Sequence, residues 1–122
     1  KNGMEIERKN HLNPEKDAEL SYVEQCFSDK DIPVIAATDY MRSYSEQIRP
    51  YIKSPYYTLG TDGYGRSDSR ETLRDFFEID STSISRSAIY ALFKKNHFSK
   101  EQIIDFYKDL EVDSDKPNPW EV

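Results

Sequence analysis

Leu59-Gly60-Thr61-Asp62-Gly63-Tyr64-Gly65-Arg66-Ser67-Asp68-Ser69-Arg70 decides how the rest of the chain is read. Three of the four glycines stand here, at Gly60, Gly63 and Gly65, beside two aspartates and two arginines. Glycine enters backbone regions that a Cβ closes to other residues, so the run predicts a loop of demanding shape. An apolar strand-like segment, Tyr56-Tyr57-Thr58-Leu59, leads into it. A helical pattern carrying Leu73, Phe76 and Phe77 leads out, and the spacing of Asp68 and Glu71 fits a capping box that starts this helix near Asp68.

Working upstream, Ile32-Pro33-Val34-Ile35-Ala36-Ala37-Thr38 is continuously apolar, which suits a strand covered on both faces of a parallel sheet. Pro33 is tolerable at its first position. Thr38 or Asp39 is predicted to cap a helix whose stripe is Tyr40, Tyr44, Ile48 and Tyr51, with Pro50 ending or kinking it. Strand, helix and second strand make a β-α-β unit. Before it, Asn13-Pro14 predicts a helix start for a stripe of Leu20, Val23 and Phe27. Cys26 lies beside that stripe and reads as a small buried hydrophobe rather than a reactive thiol. Residues 1–13 are polar and aperiodic, a lead-in or a frayed helix end.

Downstream, a break at Glu78–Ser81 precedes a helix with Ile84, Ala88, Ala91 and Leu92 in its stripe, widened by Ile89 and Phe93. Ser99 and Gln102 form a second capping box, opening a last helix with Ile103, Phe106, Tyr107 and Leu110. Residues 113–122 hold two prolines and one tryptophan and read as an extended tail. The organisation expected is therefore a lead-in over 1–13, a domain over 14–112 and a tail over 113–122. Two strands and some five helices are too little sheet for a self-sufficient α/β domain, where roughly four to six strands are usual. With its first methionine only at position 4, the chain reads as the C-terminal part of a larger protein.

Composition narrows the function classes. The 122 residues carry a formal charge of −6, with 23 acidic against 17 basic side chains. That sign disfavours nucleic acid and anionic membranes as general partners. Nine Tyr and six Phe supply much of the burial capacity. A single cysteine excludes an internal disulfide and fits a reducing, cytoplasmic compartment. No stretch approaches the roughly 20 apolar residues that span a bilayer.

The glycine run offers the most chemistry. Its spacing is G-x-x-G-x-G, so it is not a dinucleotide fingerprint, and no Gly-Lys-Ser/Thr follows to make a phosphate loop. An anion nest or interface built from Gly63, Gly65, Arg66 and Arg70 with the following helix N-terminus stays open. The plainer reading is a strand-to-helix corner at the carboxyl edge of a sheet, and it is preferred, although ligands of α/β folds bind at that edge. Arg66, Arg70 and Arg74 would share a face, but Glu71, Asp75 and Glu78 interleave with them, so a mutually paired face is expected. Asp62 and Asp68 lack metal-loop spacing. His11 and His97 read as surface residues. No nucleophile and base pair emerges, and no catalytic, cofactor-binding or metal-binding residue is assigned.

Over Ile32–Asp80 the sequence resembles the C-terminal domain of the homodimeric pyruvate dehydrogenase decarboxylating components, which are thiamine-diphosphate enzymes of transketolase type. The residues that carry it are Val34-Ile35-Ala36-Ala37-Thr38-Asp39-Tyr40-Met41, Glu46-Gln47-Ile48-Arg49-Pro50, Leu59 through Arg70, and Leu73-Arg74-Asp75-Phe76-Phe77-Glu78-Ile79-Asp80. Arg8 through Pro14 is similar to the segment leading into that domain, and the last forty residues match chiefly in helical spacing. The resemblance implies a three-layer α/β sandwich with a mostly parallel sheet, here lacking its first strand or strands. It implies that thiamine diphosphate and magnesium bind in other domains, and that this one organises subunit packing. A second copy of the parent chain and a lipoyl-bearing acetyltransferase are the partners it implies. Two other readings are an independent anion- or protein-binding module built on the glycine run, and a different transketolase-like enzyme.

Overall fold

The structure, a computed structural model, describes residues 1–61 and 70–119, and for Arg70, Glu71 and Thr72 the backbone alone. In chain order the elements are α1 (Asn2–Leu12), α2 (Tyr22–Cys26), β1 (Val34–Ala37), α3 (Arg42–Glu46), a 3-10 turn (Arg49–Tyr51), β2 (Tyr56–Leu59), α4 (Arg70–Phe76), α5 (Ser81–Lys94) and α6 (Lys100–Asp109). The two strands run parallel in strict register, Val34 opposite Tyr56 through Ala37 opposite Leu59. They form the β-α-β unit expected from the apolar runs. The chain thus has helices around a small parallel sheet, as expected of an α/β domain with a reduced sheet.

The two strands are not covered alike. Along β2, Tyr56, Thr58 and Leu59 are buried, whereas Val34, Ile35 and Ala36 of β1 are only half-buried and Ala37 is exposed. Burial on both faces therefore describes β2 better than β1. The core forms where β2 meets α4: Leu59, Phe77 and Ile79 are buried together, with Ile35, Leu73 and Phe76 packed against them. Phe76 and Phe77 meet edge to face at 4.9 Å, a favourable arrangement for two ring quadrupoles. On the other flank α5 packs on both β1 and α6. Ala91 is fully buried there, and a small side chain at that position lets the helices approach.

Several helix boundaries differ from the expectation, and in each case a hydrogen bond explains why. Residues 2–12 form a full helix although their sequence is polar. Gly3 lies beneath the Tyr51 ring, where an added Cβ would come within 2.5 Å of Cζ. Asn13 ends that helix instead of starting the next one, and Pro14 opens none. The Asn10 side-chain amide takes both backbone groups of Glu19, at 2.9 Å each, which holds that segment extended. Asn2 Oδ1 accepts from the backbone N–H of Tyr22 at 2.8 Å. The cap of α2 is Ser21, buried and in a reciprocal box with Glu24. These bonds pull the Glu24 carboxyl below its ordinary range, chiefly through the Ser21 backbone N–H. Because α2 spans only five residues, its neighbours do not form the expected buried stripe. Leu20 and Phe27 are exposed, and so is Cys26, which is free. The expectation of a buried Cys26 is thereby corrected.

The capping of α3 is corrected too. Its N-cap is Met41, with no side-chain bond. Thr38 Oγ1 accepts from the backbone N–H of Tyr40 at 3.1 Å, closing a local turn, and the Asp39 carboxylate is engaged by Arg74. Tyr40 and Tyr44 meet edge to face at 4.7 Å but stay exposed. Pro50 sits in the 3-10 turn, as its missing N–H allows. By contrast α5 and α6 follow the sequence closely. Asp80 caps α5 through Ser83 N–H, and Ser99 with Gln102 forms the expected box.

Candidate functional site at the carboxyl edge of the sheet

Parallel strands release their chain at one common edge, and in α/β folds that edge is where loops gather chemistry. Here β1 delivers Ala37-Thr38-Asp39 and β2 delivers Leu59-Gly60-Thr61. The two exits are tied together by Thr38 N–H to Leu59 O at 3.0 Å and Thr61 N–H to Tyr40 O at 2.9 Å. Thr61 Oγ1 adds a bond to Asp39 O at 2.7 Å. Gly60 makes this possible. A Cβ on it would lie 2.8 Å from both Arg42 N and Tyr40 O, backbone atoms that cannot swing aside.

An open groove of about 1120 Å³ lies against this edge, with Thr38, Asp39, Arg74, Asp75 and Asp80 among its walls. Its charges are largely committed to the fold. Arg74 reaches Asp39 with two nitrogens, at 3.2 and 3.4 Å. Asp80 Oδ1 accepts the Ser83 N–H at 2.9 Å. Asp75 takes Lys116 at 3.3 Å, and Glu78 takes Arg86 at 3.5 Å. The expectation of a mutually paired face is corrected: Arg74, Asp75 and Glu78 are paired, but with partners supplied by other elements and not with one another. Gly63, Gly65 and Arg66, with Asp62 and the Asp68 cap, lie outside the described residues. Arg70 is the first residue of α4, its side chain also outside them.

A second cluster, not singled out as a site in the sequence, contains a carboxyl held well below its ordinary range. Glu46, at the end of α3, accepts from Arg49 through both carboxylate oxygens, with Arg49 Nη2 at 2.8 Å from Oε1. The buried Thr58 hydroxyl donates to the same Oε1 at 2.6 Å. These donors, Arg49 first and Thr58 second, pull the Glu46 carboxyl down to about 2. Arg49 also donates to Tyr56 O at 3.0 Å and lies 5.0 Å over the Tyr56 ring. Burial is the first cause raising the Tyr56 phenol, whose hydroxyl donates to Ser45 O at 2.6 Å. Four side chains thus bolt the α3 end and the Pro50 turn onto β2. The signal that could have exposed this cluster is Glu46 and Arg49 three residues apart, ahead of a strand with a hydroxyl.

These bonds join elements of the chain to one another. His11 and His97 are both exposed. Among the described residues, no group of three His, Cys, Asp or Glu is placed to hold a metal ion. No helix among them is long and apolar enough to cross a membrane.

The family described as the transketolase-like C-terminal domain matches residues 9–80. The chain belongs to that family. The match starts within α1 and ends at Asp80, the cap of α5, so it contains both strands, the Glu46 cluster and the glycine run. Three curated relatives extend it over 98% of the chain, each named pyruvate dehydrogenase E1 component. The Cupriavidus necator protein is 41% identical over 120 residues, that of Pseudomonas aeruginosa 42% and that of Escherichia coli K12 39%. The chain spans only 13 to 14% of the length of these relatives. It is homologous to one region of them, and its last two helices are included in that similarity.

Proposed function

We propose that this chain is the C-terminal part of a pyruvate dehydrogenase of the acetyl-transferring kind, and that its own task is to organise rather than to catalyse. The parent enzyme would decarboxylate pyruvate on thiamine diphosphate with magnesium and pass the two-carbon unit to a lipoyl group. Its partners would be a second copy of the parent chain and the lipoyl-bearing acetyltransferase component, and its compartment the cytoplasm. The observation that carries this reading is similarity at 39 to 42% identity across 98% of the chain to three proteins of that name.

The geometry supports the division of labour. The Glu46 carboxylate is engaged by Arg49 and Thr58, and the groove carboxylates Asp39, Asp75 and Asp80 are engaged by Arg74, Lys116 and the α5 cap. These residues do not fit thiamine diphosphate or its magnesium, and no catalytic step is drawn through them. The test is pyruvate-dependent acetylation of a lipoyl domain by the natural-length protein carrying this chain, with thiamine diphosphate and magnesium present. Acetyl transfer that disappears without pyruvate is the expected result. A protein that turns over sugar phosphates but not pyruvate would instead support a different transketolase-like activity.

A further inference from the structure

α4 is the helix into which the glycine run leads, and its C-terminal half and the turn after it meet three other elements through three charged contacts. Arg74 goes to Asp39 after β1, Asp75 to Lys116 in the C-terminal segment, and Glu78 to Arg86 on α5. The Lys116 contact differs from the other two. Its ammonium donates to the backbone carbonyl of Asp75 at 2.6 Å, closer than the carboxylate at 3.3 Å. The last carbonyls of a helix lack intrahelical donors, and a cation there also meets the negative end of the helix dipole.

The local accounting shows what Lys116 adds. Leu73 O accepts from Phe77 N–H, Arg74 O from Ile79 N–H, and Asp75 O from Glu78 N–H at 3.1 Å, with the Lys116 ammonium joining at Asp75 O. Glu78 closes this end with φ 58°, a left-handed conformation that an L side chain adopts at a cost. Lys116 is aimed at α4 by its own turn: Asp113 Oδ1 accepts from Asp115 N–H at 2.9 Å, and Lys116 N–H reaches back to Asp113 O. The Lys116 side chain is 28% exposed, and the residue lines a crease with Asp80, Arg86 and Leu110.

We propose that residues 113–119 form a strap whose Lys116 caps the C-terminus of α4 from 41 positions downstream, so that order at the end of α4 depends on the C-terminal segment. α4 contributes Leu73 and Phe76 to the core around Leu59. Release of the strap therefore loosens the carboxyl edge of the sheet, which carries the groove.

The test is amide hydrogen exchange on the protein and three variants. Lys116→Met keeps the apolar stem but loses the donor, Lys116→Arg keeps charge and donor, and Asp75→Asn removes the carboxylate while leaving the carbonyl. Lys116→Met should speed exchange at Phe77, Glu78 and Ile79 by roughly fivefold and leave Ile103 and Leu110 in and after α6 unchanged. Lys116→Arg and Asp75→Asn should stay near the unmodified protein. Unchanged exchange in Lys116→Met, equal acceleration at Ile103, or an Asp75→Asn effect as large as that of Lys116→Met would each overturn the proposal.

Discussion

Gly60 illustrates how a single residue sets the sheet edge. The residue is needed for space rather than for a special φ, since its missing Cβ is what lets β2 exit against Tyr40 and Arg42. Gly60→Ala should destabilise the protein by about 1–3 kcal/mol, the usual cost of overpacking, read as a lower midpoint in urea. Thr58 sits at the other sensitive point. Thr58→Val keeps the volume but leaves Glu46 without its buried hydroxyl donor, at a cost of about 1–2 kcal/mol for a bond to a charged group. The pH dependence of Glu46 follows from the sign of its shift. Its folded value of about 2 lies below the ordinary 4.5, so its stabilisation is fully present above pH 4.5 and fades as pH falls toward 2. The melting temperatures of the protein and of Glu46→Gln should accordingly differ most above that window and converge below it. A constant gap down to pH 2 would mean that the carboxylate charge is not what holds the cluster.

At the scale of elements, legibility tracked how local the determining interaction is. The helix α5 was readable from its apolar stripe of Ile84, Ala88, Ala91 and Leu92, and α6 because Ser99 with Gln102 supplies its cap within three residues. Ser99→Ala should cost about 1 kcal/mol, observable as a drop in thermal midpoint. Both strands were readable from continuous apolar runs. The helix α1 was not, because its order comes from Tyr51 lying over Gly3 and from Asn2 and Asn10 bonding to residues far along the chain. Helix ends were also hard to read, because none of those at Glu78, Asn96 and Glu111 uses glycine. Each takes positive φ, at 58°, 65° and 55°, and each is followed by a backbone N–H bond to the carbonyl five residues earlier. Glu111→Gly should therefore stabilise α6 by about 1 kcal/mol through relief of that backbone conformation, raising the thermal midpoint rather than lowering it.

At the scale of the molecule, β2 is largely buried while β1 is half open, and ion pairs add to the apolar packing of Leu73 and Phe76 in joining α4 to its surroundings. Such exposed pairs contribute little individually, and their role here is to fix relative positions. The partners within the Glu46 cluster and across the zipped carboxyl edge were not read from the sequence, since both depend on which side chains and loop groups the paired strands bring together. What the sequence did carry was the family pattern, whose strings coincide with the turns and bolts of this unit: Glu46 and Arg49 in one, Gly60 in another, Arg74 and Asp80 in a third. That coincidence favours an organising role. The most direct test of that role is calorimetric titration of the 122-residue chain with thiamine diphosphate in the presence of magnesium. No saturable heat is expected if, as proposed, the ligands of the cofactor belong to other parts of the parent enzyme. Tight, saturable binding would contradict the account by placing a cofactor site within this chain.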